Sequence, residues 1–126
     1  MSTMNDHILV IDDDETALMV IGAILREAGF KTHTIASPIG ATRAVREHSI
    51  DAVVCDLNMP AMRGDALARL FRQNKALRFV PLLLVSGAGR DELDQLAAAG
   101  TVDTAVHKAD LGTQLVVQLR RLLSRR

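Results

Sequence analysis

Five short apolar runs alternate with longer amphipathic stretches along these 126 residues, and that alternation limits the fold more than any single residue does. "HILVI" (7–11) reads as a strand. "ETALMVIGAILREAGF" (15–30) reads as a helix with Leu18, Ile21, Leu25 and Ala28 on one stripe and Gly29 placed to end it. "KTHTIA" (31–36) alternates, which predicts a strand near a sheet edge. Ser37 and Pro38 occupy the usual cap and first-turn positions of a second helix running to about His48. "DAVVCD" (51–56) is a third strand, and 65–75 a third helix after the turn "NMPAMRG". "PLLLVS" (81–86) is a fourth strand with Pro81 at its first residue, where a missing donor is tolerated. A fourth helix spans about 90–99 and closes on Gly100; "DTAVHK" (103–108) is the fifth strand and 113–124 the last helix. Continuous apolar strands separated by helices require a parallel sheet covered on both faces. With right-handed crossovers this predicts one doubly wound α/β domain, a (βα)5 chain whose five-stranded sheet has the order 2-1-3-4-5.

In such a sheet, ligands sit beyond the carboxyl ends of the strands, at the switch point between strands one and three. Strand one ends in Asp12, Asp13 and Asp14, strand three in Asp56, strand four in Ser86 and strand five in Lys108. A carboxylate at the mouth of a buried strand costs stability unless something pairs with it. Clustered carboxylates also repel, which raises at least one pKa. A hard divalent ion removes that penalty, and Mg²⁺ takes carboxylate, carbonyl, water and phosphate oxygens. One carboxylate can then attack phosphorus and form an acyl phosphate. Charge on the equatorial oxygens calls for the metal, a cation and a hydroxyl. Lys108 supplies the cation, Ser86 the hydroxyl, and Gly87 leaves room for a phosphoryl group to enter. Taken singly, each residue has a commoner role: a strand-end Asp in a loop, or Asp14 as a helix starter. Their agreement at one rim is what points to a site.

Composition closes off other classes. Aromatic residues are 2% of the chain (Phe30, Phe71 and Phe79), too few for stacking platforms on single-stranded nucleic acid. Lys plus Arg equals Asp plus Glu at 15 each, so no charge excess favours a phosphate backbone. Neither direct nucleic-acid binding nor membrane binding is expected. The basic residues Arg120, Arg121, Arg125 and Arg126 fall in or just after the last helix, whose carboxyl end welcomes cations. Cys55 is the single cysteine, which excludes an internal disulfide or a cysteine zinc site and marks it as a buried hydrophobe. His7, His33, His48 and His107 are scattered, without metal-site spacing. With no signal peptide and no apolar stretch of spanning length, a soluble cytoplasmic protein is the expectation. Met19, Val20, Ala23 and Ile24 extend the apolar surface of the first helix. Burial against the neighbouring helix is the expected use, and docking of a partner helix the alternative.

Four segments, "ILVIDDDETAL", "DAVVCDLNMPAMRG", "LLLVSGAG" and "AVHKADL", occur in order over essentially the whole chain. Together they resemble the receiver domain of two-component response regulators, the CheY-like fold. The resemblance implies that Asp56 is the phospho-acceptor. It makes Asp13 a direct Mg²⁺ ligand, with Asp12 acting through water and Asp56 and the Asn58 backbone carbonyl completing the protein's share. Ser86 becomes the hydroxyl that reaches for the phosphoryl group, and Lys108 its ion-pair partner. Asp14, third in line, is not expected to bind metal. The implied donor is a phosphohistidine on a sensor histidine kinase or histidine phosphotransfer protein. The implied output is a downstream protein bound by helix four, strand five and helix five, a face that also allows a homodimer.

Three departures from the family pattern bear on readout. Ala109 follows Lys108 where the family usually has Pro; a cis bond there would cost roughly 2.5–4 kcal/mol, so a trans bond or a shifted loop is expected. Ala105 replaces a frequent aromatic, so a swing of that ring cannot report activation. "PAMRG" stands for the common "PGMDG", with Gly64 kept. The primary expectation is a single receiver domain, without an output domain in these residues, that acts as a phosphorylation switch and not as a turnover enzyme. Two alternatives come from other classes. One is a receiver fold that signals by contact alone, toward which Ala105 and Ala109 lean. The other is a haloacid-dehalogenase-type phosphatase, since "DDDET" matches its Asp-x-Asp-x-Thr with Asp12 as nucleophile; the later acidic pair such enzymes need is missing.

Overall fold

The computed structural model describes residues 5–125. Five parallel strands run β1 His7–Ile11, β2 Lys31–Ile35, β3 Ala52–Asp56, β4 Leu82–Ser86 and β5 Thr104–His107. They lie in the order β2-β1-β3-β4-β5. The helices are α1 Glu15–Glu27, α2 Ala41–Glu47, α3 Gly64–Gln73, α4 Arg90–Ala98 and α5 Leu111–Leu123, with a short 3₁₀ turn at Lys108–Asp110.

Side chains alternate across a strand, so each apolar run feeds two cores. Leu9, Ile11, Val53, Cys55, Leu82 and Leu84 face α2, α3 and α4, where Leu67 and Phe71 complete the layer. Ile8, Val10, Val54, Leu83 and Val85 face α1 and α5, packed by Ile21, Leu25, Leu115 and Leu119. Full burial of one such side chain stabilises by roughly 1.5–3 kcal/mol, which makes the two layers the main source of order. β3 and β4 are buried throughout, whereas β2 is an edge strand with a half-exposed pattern, as its alternation predicts.

The helix starts show where local chemistry decides. Asp14 is the N-cap of α1, its Oδ1 accepting the Thr16 N–H at 3.1 Å. Gly29, at φ +98°, ends that helix in the left-handed conformation glycine tolerates. α2 begins later than Ser37-Pro38 implies. The Ser37 hydroxyl caps a turn, accepting from Ile39 N–H at 3.1 Å, and Gly40 at φ +91° postpones the helix to Ala41. β5 stops at His107, so Lys108 belongs to the 3₁₀ turn and not to the strand. Among the described residues every peptide bond is trans, including Lys108–Ala109.

Of the basic cluster, Arg120 donates to the Ala28 carbonyl at 3.3 Å and ties α5 to the end of α1. Arg126 lies outside the described residues. The expected burial of the α1 surface holds only in part. Leu18 and Ile24 pack against the core, but Met19 is 73% and Val20 47% exposed, because α5 covers only one side of the helix. No helix among the described residues is long and apolar enough to cross a membrane.

Candidate functional site

The carboxyl ends of β1, β3, β4 and β5 deliver their polar residues to one rim. Carboxylate oxygens of Asp12, Asp13 and Asp56 lie within 4.8 Å of one another. Asp12 and Asp56 are buried and Asp13 is exposed, so the group opens to solvent on one side. Lys108 reaches in from beyond β5, its Nζ 3.6 Å from Asp12 Oδ2 and 3.7 Å from Asp56 Oδ1. These are electrostatic contacts, longer than a hydrogen bond. Asp12 Oδ1 accepts the Asp14 N–H at 2.9 Å, while Asp12 Oδ2 is buried without a hydrogen-bond partner.

The electrostatics follow from that crowding. Burial first, then the neighbouring Asp12 charge, hold the Asp56 carboxyl above its ordinary value; Lys108 and the Asn58 backbone N–H pull the other way without prevailing. Burial likewise pushes the Cys55 thiol up, and its side chain packs in the core, as expected for an inert cysteine.

Ser86 sits at the end of β4, one residue beyond Val85, the partner of Asp56 in the ladder. It is buried, and its Oγ accepts the Ala88 N–H at 3.0 Å, which holds the hydroxyl in its own loop. A Cβ added at Gly87 would meet nothing within 4 Å, so the entrance is open there. The Asn58 side chain is exposed, with Oδ1 accepting from Arg63 at 3.4 Å.

Three features of this rim are not foreseen from the sequence. Gly64 passes directly under the end of β3: a Cβ there would lie 2.4 Å from the Asp56 carbonyl oxygen and 2.7 Å from Leu84 Cδ1. Arg63 joins the β3–α3 loop to α4, pairing with Asp65 and with Glu92 at 3.1 Å each. His107 caps the turn that carries Lys108. The only hint of any of these is the unusual "MRG" and "HKA" composition.

A fourth surprise lies at the other end of the sheet, at the start of β1. His7 Nδ1 and His33 Nε2 are 3.0 Å apart, and the His33 and His48 rings stack at 4.3 Å. Three of the four scattered histidines therefore meet. Among the described residues the group of three such ligands that closes on one point is Asp12, Asp13 and Asp56, not the histidines.

The response regulator receiver domain profile matches residues 8–120 of this chain. The chain belongs to that family. The chemotaxis protein CheY of Pseudomonas aeruginosa is 38% identical over 96 residues, covering 74% of this chain and 77% of that protein. The DNA-binding response regulator MtrA of Mycolicibacterium smegmatis is 34% identical over 126 residues, 99% of this chain and 54% of that protein. The receiver domain thus spans about half the length of the mycobacterial relative it matches. Among solved structures, the signal receiver domain of a signal transduction histidine kinase from Syntrophus aciditrophicus superposes with a TM-score of 0.82. It shares 27% identity and is covered over 94% of this chain and 90% of its own.

Receiver domains are the switch modules of two-component signalling. In this one, the position of the missing aromatic, Ala105, lines a cavity of about 240 Å³ between α4 and α5, beside Leu93, His107 and Gln114.

Proposed function

We propose that this receiver domain accepts a phosphoryl group onto Asp56 from a phosphohistidine partner, with Mg²⁺, and that its phosphorylation state controls binding of a downstream protein. The carrying observation is the convergence of three carboxylates within 4.8 Å, faced by one lysine that reaches two of them. The donor set suits a hard cation: all-oxygen, part-buried and open to solvent, with the buried Asp12 Oδ2 lacking a hydrogen-bond donor. Asp12, Asp13, Asp56 and the Asn58 carbonyl are the residues that would hold Mg²⁺. When bound, the ion neutralises the charge that otherwise keeps a dianionic phosphoryl group away.

The protein's own residues do the rest. Asp56 presents a carboxylate oxygen at the open rim. Its bond to phosphorus forms as the nitrogen–phosphorus bond of the donor histidine breaks, and the electron pair returns to the imidazole. Lys108 stabilises the charge on the transferring group, and the Ser86 hydroxyl donates to it once the loop turns. The domain is consumed stoichiometrically and regenerated when water hydrolyses the acyl phosphate. The exposed Met19 and Val20 of α1 fit the donor partner, and the α4–β5–α5 face fits the downstream protein or a second copy of this chain.

Intact mass after treatment with acetyl phosphate, with and without Mg²⁺, tests the proposal beside Asp56→Asn. One Mg²⁺-dependent phosphoryl adduct, absent from the variant, is the expected result. A folded protein that takes no adduct would instead support signalling by contact alone.

A further inference from the structure

Lys108 faces both buried acids, yet it hangs on a flexible four-carbon stem in a turn of three residues. This 3₁₀ turn, which leads straight into α5, has the poorer hydrogen-bond geometry of its class, and its first N–H groups have no partner inside it. The far end of this turn is tied down. Leu111 N–H bonds the Lys108 carbonyl, and Arg90 of α4 donates to Asp110 Oδ2 at 2.5 Å. The near end depends on one side chain. His107, extended at φ −71° and ψ 141°, turns its ring back so that Nδ1 accepts the Ala109 N–H at 3.0 Å. This is an N-cap made by histidine, and it can form only because residue 109 has an N–H to give.

We propose that His107 is the positioning residue for Lys108: its Nδ1 fixes the turn that aims the ammonium between Asp12 and Asp56. The role rests on the phosphoacceptor reading and deepens it. It also carries a condition, since an imidazole protonated at Nδ1 has no lone pair for the Ala109 N–H. Arg90 and Asp94 of α4, Asp110 of the turn and Gln114 and Gln118 of α5 line one cavity with His107.

Two arms test this. In the first, phosphorylation of the full chain by acetyl phosphate is compared for wild type, His107→Asn and His107→Leu. Asparagine keeps an N-cap acceptor and does not titrate, so its rate is expected within about threefold of wild type; leucine should slow by about tenfold. Equal rates for leucine and wild type, or an asparagine variant as slow as leucine, would overturn the role. The second arm uses wild type alone, without metal or phosphate. By NMR, the Ala109 amide nitrogen should show a scalar coupling to His107 Nδ1 across the hydrogen bond, and its absence overturns the cap. If wild type takes no adduct, the acceptor reading fails, and this second arm still decides the cap.

Discussion

Asp56 holds its proton more readily than a free aspartic acid, because the rim strips it of water and sets Asp12 beside it. The sign of the consequence is fixed. Its native pKa lies above the ordinary 3.8, so the folded chain binds more protons than the unfolded chain between those values. Stability therefore falls as pH rises through that window, and at neutral pH the ionised Asp56 is a net cost when no divalent cation is present. Asp56→Asn is expected to raise Tm in EDTA at about pH 7, by on the order of 1 kcal/mol or a few degrees, with less gain near pH 4. Thermal unfolding by circular dichroism checks it; an unchanged Tm would mean that Lys108 fully offsets the burial. Gly64 makes a second prediction of the opposite sign. A methyl group at 2.4 Å from the Asp56 carbonyl oxygen forces backbone apart, so Gly64→Ala should cost about 1–3 kcal/mol in urea unfolding and slow phosphorylation as well. Neither the pKa nor the close approach is visible in a linear sequence. Both depend on which residues the crossovers bring beneath the strand end.

At the scale of elements, the chain declares itself well. The five apolar runs become the five strands within a residue or so: β3 and β4 are buried on both faces, and β2 shows the alternation of an edge. The edges fare worse where a cap competes with a turn, as Ser37 and Gly40 show before α2. Asp14 separates capping from chemistry. It accepts the Thr16 N–H and stands outside the carboxylate cluster. Asp14→Ala should therefore lower stability by about 1 kcal/mol while leaving the Mg²⁺-dependent adduct on Asp56 intact. Loss of the adduct in a folded Asp14→Ala protein would place Asp14 in the site. The exposed strip of α1 yields the complementary pattern. Met19→Glu lies on solvent-facing surface, so it should change stability by less than about 0.5 kcal/mol and spare phosphorylation by acetyl phosphate. Transfer from a phosphohistidine protein, which must dock, should drop sharply. Equal loss with both donors would mean that the substitution damages the site and not the docking.

At the scale of the whole molecule, the histidines show what only the topology can reveal. His7 and His33 are 26 residues apart and meet because β1 and β2 pair in parallel; His48 joins them from the C-cap of α2. Spacing rules see none of this. Burial first, then the nearby His48 and His7, lower the His33 pKa from 6.5. A lowered native pKa means that the unfolded chain binds more protons below about 6.5, so stability is lost as pH falls through that value toward the native one. The 3.0 Å approach of His7 Nδ1 to His33 Nε2 acts in the same direction, since it needs a lone pair on one of the two nitrogens. Around the stack lie Asp51, whose carboxylate accepts the His7 N–H at 2.8 Å, and Lys31, paired with His7 across the strands. Urea unfolding between about pH 7 and pH 5 should show declining stability, with a flatter profile in His33→Gln. An unchanged slope would assign the acid sensitivity to other groups. The stack lies at the amino ends of the strands, while Asp56 and Lys108 lie at the carboxyl ends, with the buried sheet between them. His33→Gln should therefore alter the pH dependence of stability and leave phosphorylation alone, whereas His107→Leu should slow phosphorylation. The two histidine sites are separable because a rigid parallel sheet keeps its two ends chemically independent.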